Sequence, residues 1–229
     1  MGFLTAVGRY GRRMLDAVLF DLDGTLTDPA EGITGAFRHA VASVGHPAED
    51  DADLTWIIGP AVRDNLARYG LPDEHHDLVV TTFRAHMTEV GLFQATVIAG
   101  ITDVLATLQE QGIPLALATA KPVFQAEISL EHFGLDRYFT VVAGGIADGV
   151  PRSKSLIVGD ALAALGHPDP ARVAMVGDRH HDIDGAHANG CIAVAVTWGY
   201  AEGGEMDVAK PHHIVDSPAE LTALLHRLP

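Results

Sequence analysis

Asp21 and Asp23 are two carboxylates separated by one residue, in Asp21-Leu22-Asp23-Gly24-Thr25. They directly follow the apolar run Ala17-Val18-Leu19-Phe20. On an extended chain, residues two apart point to the same side, so both acids face one site. Gly24 permits a tight turn just beyond them. Unpaired carboxylates at one strand end repel each other, which weighs against an acidic turn with no role. A second acidic pair, Asp178 and Asp182, lies one helical turn apart in Val176-Gly177-Asp178-Arg179-His180-His181-Asp182. If the runs before the two pairs are neighbouring strands, all these carboxylates converge and need a counter-charge. All-oxygen ligation suits a hard cation, and magnesium is the natural choice.

Other residues suit an anion. Thr119, in Leu117-Ala118-Thr119-Ala120-Lys121-Pro122, offers a hydroxyl and a backbone N–H. The chain has three lysines, Lys121, Lys154 and Lys210, and the first two sit just past apolar runs. Either lysine alone reads as a solvated surface charge. Together with Thr119 and the carboxylates, they point to phosphate binding. Arg63 and Arg84 are candidate substrate contacts, and pairing with surface acids explains them equally well. His75-His76 and His212-His213 fall in polar stretches and read as solvated, while His180-His181 flank the acidic pair. Arg179 reads as an exposed loop charge or a partner of the carboxylates. Trp198 and Tyr200 either line the mouth of a site or pack in the core.

The elements that must position these groups follow from the pattern. Short apolar runs predict buried strands at 17–20, 114–118, 138–143, 173–176 and 192–196, with 213–215 at an edge. Ile101, Val104, Leu105 and Leu108 lie at helical spacing, and Gly112 ends that helix. Further helices are expected over 124–133 and 155–165. A last helix starts at Ser217 with Pro218 and Glu220 in a capping-box pattern. Such alternation implies an α/β fold, a Rossmann-like parallel sheet with helices on both faces. Ligands of these sheets sit at the carboxyl ends of the strands, where strand order reverses.

Residues 30–95 break the alternation and are helical in pattern. Ile33, Phe37, Val41 and Val44 line one face, and Leu78, Phe83 and Met87 suggest another helix. The expected organisation is a core of residues 14–28 and 99–229, an inserted α-helical cap of residues 29–98, and an N-terminal extension of residues 1–13. Hinges are expected near Thr27–Pro29 and Ala95–Gly100.

Composition sets the limits. The 229 residues are 48% apolar and 20% charged, a globular profile. The formal net charge of -15 argues against a nucleic-acid partner or an anionic membrane surface. The single cysteine, Cys191, excludes an intrachain disulfide and a thiolate zinc cluster, which fits a reducing cytoplasm. No apolar run approaches the ~20 residues of a membrane span. Arg9, Arg12 and Arg13 look like the start of a secretory signal, but Asp16, Asp21 and Asp23 interrupt the apolar stretch that should follow.

The set of motifs resembles the haloacid dehalogenase-like hydrolase superfamily. Its motifs occur in order as Asp21-Leu22-Asp23-Gly24-Thr25, Thr119, Lys154, and Gly177-Asp178 with Asp182. The cap, inserted directly after the first motif, resembles that of the phosphoglycolate phosphatase-like branch. Ile58-Gly59-Pro60, Gly91-Leu92-Phe93 and Thr197-Trp198-Gly199-Tyr200 resemble the same branch. The resemblance implies that Asp21 attacks phosphorus and forms an aspartyl phosphate. Asp23 would act as general acid, then as general base. Magnesium would bind Asp21, Asp178 and the Asp23 carbonyl. Thr119 and Lys154 would hold the phosphoryl oxygens, and Asp182 would orient Lys154 or the metal's waters. The substrate would be a small phosphorylated metabolite, such as phosphoglycolate or a nucleoside monophosphate. Ala120 and Ser155 depart from residues common among relatives.

Other members of the superfamily do other chemistry. A dehalogenase needs no acid two residues after its first aspartate. A phosphonate hydrolase uses a cap lysine, and residues 30–95 contain none. A sugar phosphomutase uses both aspartates and needs a cap group on the far phosphate, a place Arg63 could take. A regulatory module without turnover fits poorly with a full set of motifs.

Overall fold

Strand β1, Ala17–Phe20, is buried on both faces, as a central strand must be. The computed structural model describes residues 15–146 and 152–229. After β1 come β2 (Thr27–Asp28), α1 (Ala30–Ala42), α2 (Val62–Tyr69), α3 (Asp73–Glu89) and β3 (Thr96–Val97). Then follow α4 (Ile101–Glu110), β4 (Leu115–Pro122), α5 (Val123–His132), β5 (Val141–Gly145) and α6 (Lys154–Ala164). The chain ends with β6 (Val173–Gly177), α7 (His180–Ala188), β7 (Ile192–Val196), α8 (Glu205–Ala209), β8 (His213–Val215) and α9 (Pro218–Leu225). The extension expected for residues 1–13 lies outside the described residues.

The main sheet has the order β5-β4-β1-β6-β7-β8, and its pairings are parallel. The chain leaves β1 for β4 on one side and later returns to β6 on the other. Strand order therefore reverses at β1, and a crevice forms at its carboxyl end.

The period-2 alternation of the strands sends different side chains to the two faces. One face carries Val18, Phe20, Leu117, Val176 and Val194 against Ile101, Leu105 and Leu108 of α4 and Leu221 and Leu225 of α9. The other carries Ala17, Ala116, Ala118, Ala193 and Ala195 against Ile157, Val158 and Ala161 of α6 and Ile183 of α7. Alanines on the second face let α6 and α7 lie close to the sheet. Both helices start at residues of the crevice.

Helices α1, α2 and α3 bury a cluster of their own, including Phe37, Val41, Leu54, Ile57, Leu66 and Val79. Trp56 and Tyr69 meet the Phe37 ring edge-on. The chain enters and leaves this helical unit through β2 and β3, which pair antiparallel.

Several local expectations shift. Leu78 is exposed, and the buried side of α3 is His76, Val79, Val80 and Met87. His76 is not solvated; its Nε2 donates to the Leu71 carbonyl at 2.9 Å. The strand expected over 138–143 is β5 and begins at Val141, because Asp136–Tyr138 forms a 3-10 turn that buries Tyr138. Ser217 caps α9 by accepting from Glu220 N, but the Glu220 carboxylate accepts from Asp216 N rather than from the cap residue.

Leu19 is fully buried at the centre of β1. Leu19→Ala is expected to lower the unfolding free energy by about 2–5 kcal/mol. Urea denaturation measures this, and a loss much smaller than that range would contradict the packing described.

Candidate active site

Asp21 continues β1, its N–H donating to Val176 O at 2.9 Å. The next residues turn sharply. Gly24 has φ +84, and a Cβ there would lie 2.3 Å from Asp178 Oδ2. Glycine thus lets the first acidic loop fold onto Asp178, which follows β6.

Lys154, the first residue of α6, is buried among acids. Its Nζ lies 2.7 Å from Asp21 Oδ1 and 2.8 Å from Asp182 Oδ1, and it donates to Ala118 O at 2.8 Å. Burial opposes its charge, yet the Asp182 and Asp21 carboxylates outweigh that and raise its pKa. Asp182 also accepts from Arg179 N at 3.0 Å through Oδ2. Thr119 is buried in β4, at the start of its irregular last part, and accepts from Lys121 N at 3.2 Å.

Among the described residues, Asp178 bonds neutral donors alone: Tyr200 N at 2.7 Å and Thr25 Oγ1 at 3.3 Å. Burial, then the charges of Asp182 and Asp21, push its carboxyl up to about 8. Burial likewise raises Asp182 to about 6, with Lys154 pulling the other way. Carboxylate oxygens of Asp21, Asp178 and Asp182 all lie within 4.8 Å of one another. With Asp23 the cluster holds four carboxylates against two ammoniums, those of Lys154 and Lys121. An all-oxygen donor set with excess negative charge fits a hard divalent cation.

The structure thus gathers Asp21, Asp23, Thr119, Lys154, Asp178 and Asp182 at one end of the sheet. It does not bring the candidate substrate contacts there. Arg63 of α2 pairs with Asp77 of α3, and Arg84 is exposed on α3.

Further contacts add to the sequence reading. Lys121 Nζ lies 2.9 Å from Asp23 Oδ1. Arg179 is buried rather than an exposed loop charge; its Nη1 donates to Ile58 O at 2.5 Å, across to the helical unit. Its Nε donates to Glu205 Oε1 at 3.0 Å, and Glu205 also accepts from His180 N, His180 Nδ1 and Glu202 N. Trp198 donates to Thr25 O and packs against the core, while Tyr200 donates to Asp28 and packs against the helical unit. The scarcity of lysine and its place just past an apolar run pointed to Lys121 in the sequence, toward phosphate rather than toward Asp23.

Comparison with known proteins fits this geometry. The haloacid dehalogenase-like hydrolase family matches residues 18–196. The tyrosine-protein kinase PtkA of Mycobacterium tuberculosis is 42% identical over 190 residues, 83% of this chain. The chain spans 65% of the length of that relative. A 5'-nucleotidase of Pseudomonas aeruginosa is 35% identical over 210 residues, covering 91% of this chain and 94% of that protein. The solved structure of a haloacid dehalogenase-like family hydrolase from Streptococcus pneumoniae superposes with a TM-score of 0.84 at 26% identity. That match covers 92% of this chain and 98% of the other.

Glu205 gives a pH test. Burial alone would raise its carboxyl, but the Arg179 guanidinium and the N–H groups of His180 and Glu202 bring it from 4.5 down to about 2. A depressed folded value means the stabilisation is full above pH 4.5 and is lost as pH falls toward 2. Across that window the wild type should lose unfolding free energy more steeply than Glu205→Gln, by urea denaturation at stepped pH. Parallel curves would contradict this account.

Proposed function

The chain belongs to the haloacid dehalogenase-like hydrolases, and from that premise we propose that it is a magnesium-dependent phosphatase of small phosphomonoesters. The observation that carries the proposal is the buried Lys154 ammonium, 2.7 Å from Asp21 Oδ1 at the end of β1. It holds the carboxylate in place as a nucleophile and is positioned to meet phosphoryl charge.

In the first step an Asp21 oxygen bonds to phosphorus as the bond to the leaving oxygen breaks. Asp23 gives that oxygen a proton, and the alcohol departs. In the second step Asp23 takes a proton from the water that attacks phosphorus, and Asp21 is released with inorganic phosphate. Thr119 and Lys154 hold the phosphoryl oxygens. Asp21 and Asp178, with the Asp23 carbonyl, would hold the magnesium ion, and Asp182 keeps Lys154 oriented. Bound there, the ion would offset carboxylate repulsion and polarise a phosphoryl oxygen.

The helical unit of residues 29–98 acts as a cap over a core of residues 14–28 and 99–229, excluding bulk water and limiting substrate size. Phosphoglycolate and nucleoside monophosphates are the substrate classes of this reading, and the relative named a 5'-nucleotidase supports the second. The phosphomutase reading draws no support from Arg63, which is tied to Asp77. No described helix is long and apolar enough to cross a membrane. A reducing cytoplasm would suit the single cysteine, Cys191, which can form no intrachain disulfide.

Phosphate release from a panel of small phosphomonoesters tests the proposal. Release should require magnesium, stop with a chelator, and fall by roughly a thousandfold or more in Asp21→Asn. Release unaffected by that substitution would overturn the mechanism. Magnesium near 100 times its dissociation constant should stabilise the wild type by about 2.7 kcal/mol. Thermal unfolding with and without the ion reads this, and Asp178→Asn should lose most of the shift.

A further inference from the structure

Lys121 is nearly buried at the site, yet no motif accounts for it. Its side chain is 9% exposed and its Nζ lies 2.9 Å from Asp23 Oδ1. Among the described residues, no other side chain bonds the Asp23 carboxylate. The backbone there is built to bring the two together. Ala118 of β4 pairs with Ala143, and Pro122 pairs with Gly145. Residues 119–121 therefore stand opposite the single Gly144, and the strand bulges. A Cβ on Gly144 would lie 2.7 Å from Lys121 O, and one on Gly145 would lie 2.6 Å from Ala120 O. Only glycines let β5 follow the bulge so closely. Lys121 N is fixed in turn by the Thr119 hydroxyl at 3.2 Å. The bulge turns Thr119 into the crevice, leaves Ala120 exposed, and aims Lys121 at Asp23.

We propose that Lys121 is a positioning residue for Asp23, fixing the carboxyl group that protonates the leaving oxygen. The inference rests on the phosphatase reading above. One Asp23 oxygen is held by the ammonium, and the other is left to face the leaving group. As the Asp21–phosphorus bond forms, the bond to the leaving oxygen breaks with its electron pair on that oxygen. The Asp23 proton goes to it and an alcohol leaves. A misplacement of about 1 Å in such a group can cost on the order of a hundredfold in rate. A lysine pinned by a bulge supplies that fixation from the core, whatever the helical unit does.

The test turns on how much the leaving group needs its proton. p-Nitrophenolate leaves readily without one, and an alkoxide does not. The value of kcat/KM, which covers the steps through cleavage of the phosphorus–oxygen bond, is compared for p-nitrophenyl phosphate and n-butyl phosphate. For Lys121→Met, kcat/KM on n-butyl phosphate should fall about tenfold or more beyond the fall on p-nitrophenyl phosphate. Lys121→Arg should recover part of the difference. Equal falls on both substrates, or no fall, would overturn the inference while leaving the phosphatase reading intact. A wild type that hydrolyses no small phosphomonoester would overturn both; where it rejects these two, the same ratio is read between an aryl and an alkyl phosphate that it accepts. Thermal unfolding checks that each variant folds, and Lys121→Gln serves for the same ratio should the methionine variant not fold.

Discussion

The buried ammonium of Lys154 is the contact on which the arrangement of the site depends. It stands between Asp21 at the end of β1 and Asp182 in α7, and it also bonds the carbonyl of Ala118 in β4. Three separate elements are thus joined at one cation, in surroundings that exclude water. Burying charge costs several kcal/mol per ion unless partners compensate, and removing one partner strands the others. The acids around Lys154 outnumber the bases, and burial first, with neighbouring carboxylates adding to it, raises the carboxyls of Asp178 and Asp182. The cluster is poised to receive a divalent cation and a phosphoryl group, each of which meets charge already in place.

The sheet makes this convergence possible. Reversal of strand order at β1 puts its carboxyl end between those of β4 and β6, so residues from three strands share one crevice. The alanine-lined face then seats α6 and α7 close to the sheet, bringing Lys154 and Asp182 over the strand ends. Substituting larger side chains at Ala116 or Ala195 would act on the site through this seating.

A second node joins the helical unit to the core. Arg179, next to Asp178, reaches the Ile58 carbonyl and is held by Glu205, which gathers donors from both sides of the acidic loop. Arg68 and Glu202 form a more exposed pair across the same boundary. The loop that carries Asp178 and the boundary with the helical unit are therefore mechanically linked.

What the sequence determined by itself was local. The apolar runs 17–20, 192–196 and 213–215 became strands with those limits, because burial on one or both faces dictates their composition. The spacing of Asp21 and Asp23, and of Asp178 and Asp182, already turned each pair toward one site. Only the tertiary structure decided how these pieces meet. Lys154 and Asp21 are 133 residues apart, Arg179 and Ile58 are 121 apart, and Lys121 and Asp23 are 98 apart. Periodicity records which face of an element is buried, and carries nothing about which distant side chain will stand opposite. The choice between the two readings of Arg179 was settled, and the solvation expected of His76 overturned, for that reason. The bulge that aims Lys121 shows the same limit. Gly144 and Gly145 are plain in the sequence, but the three-to-one register against β4 exists only once the two strands pair.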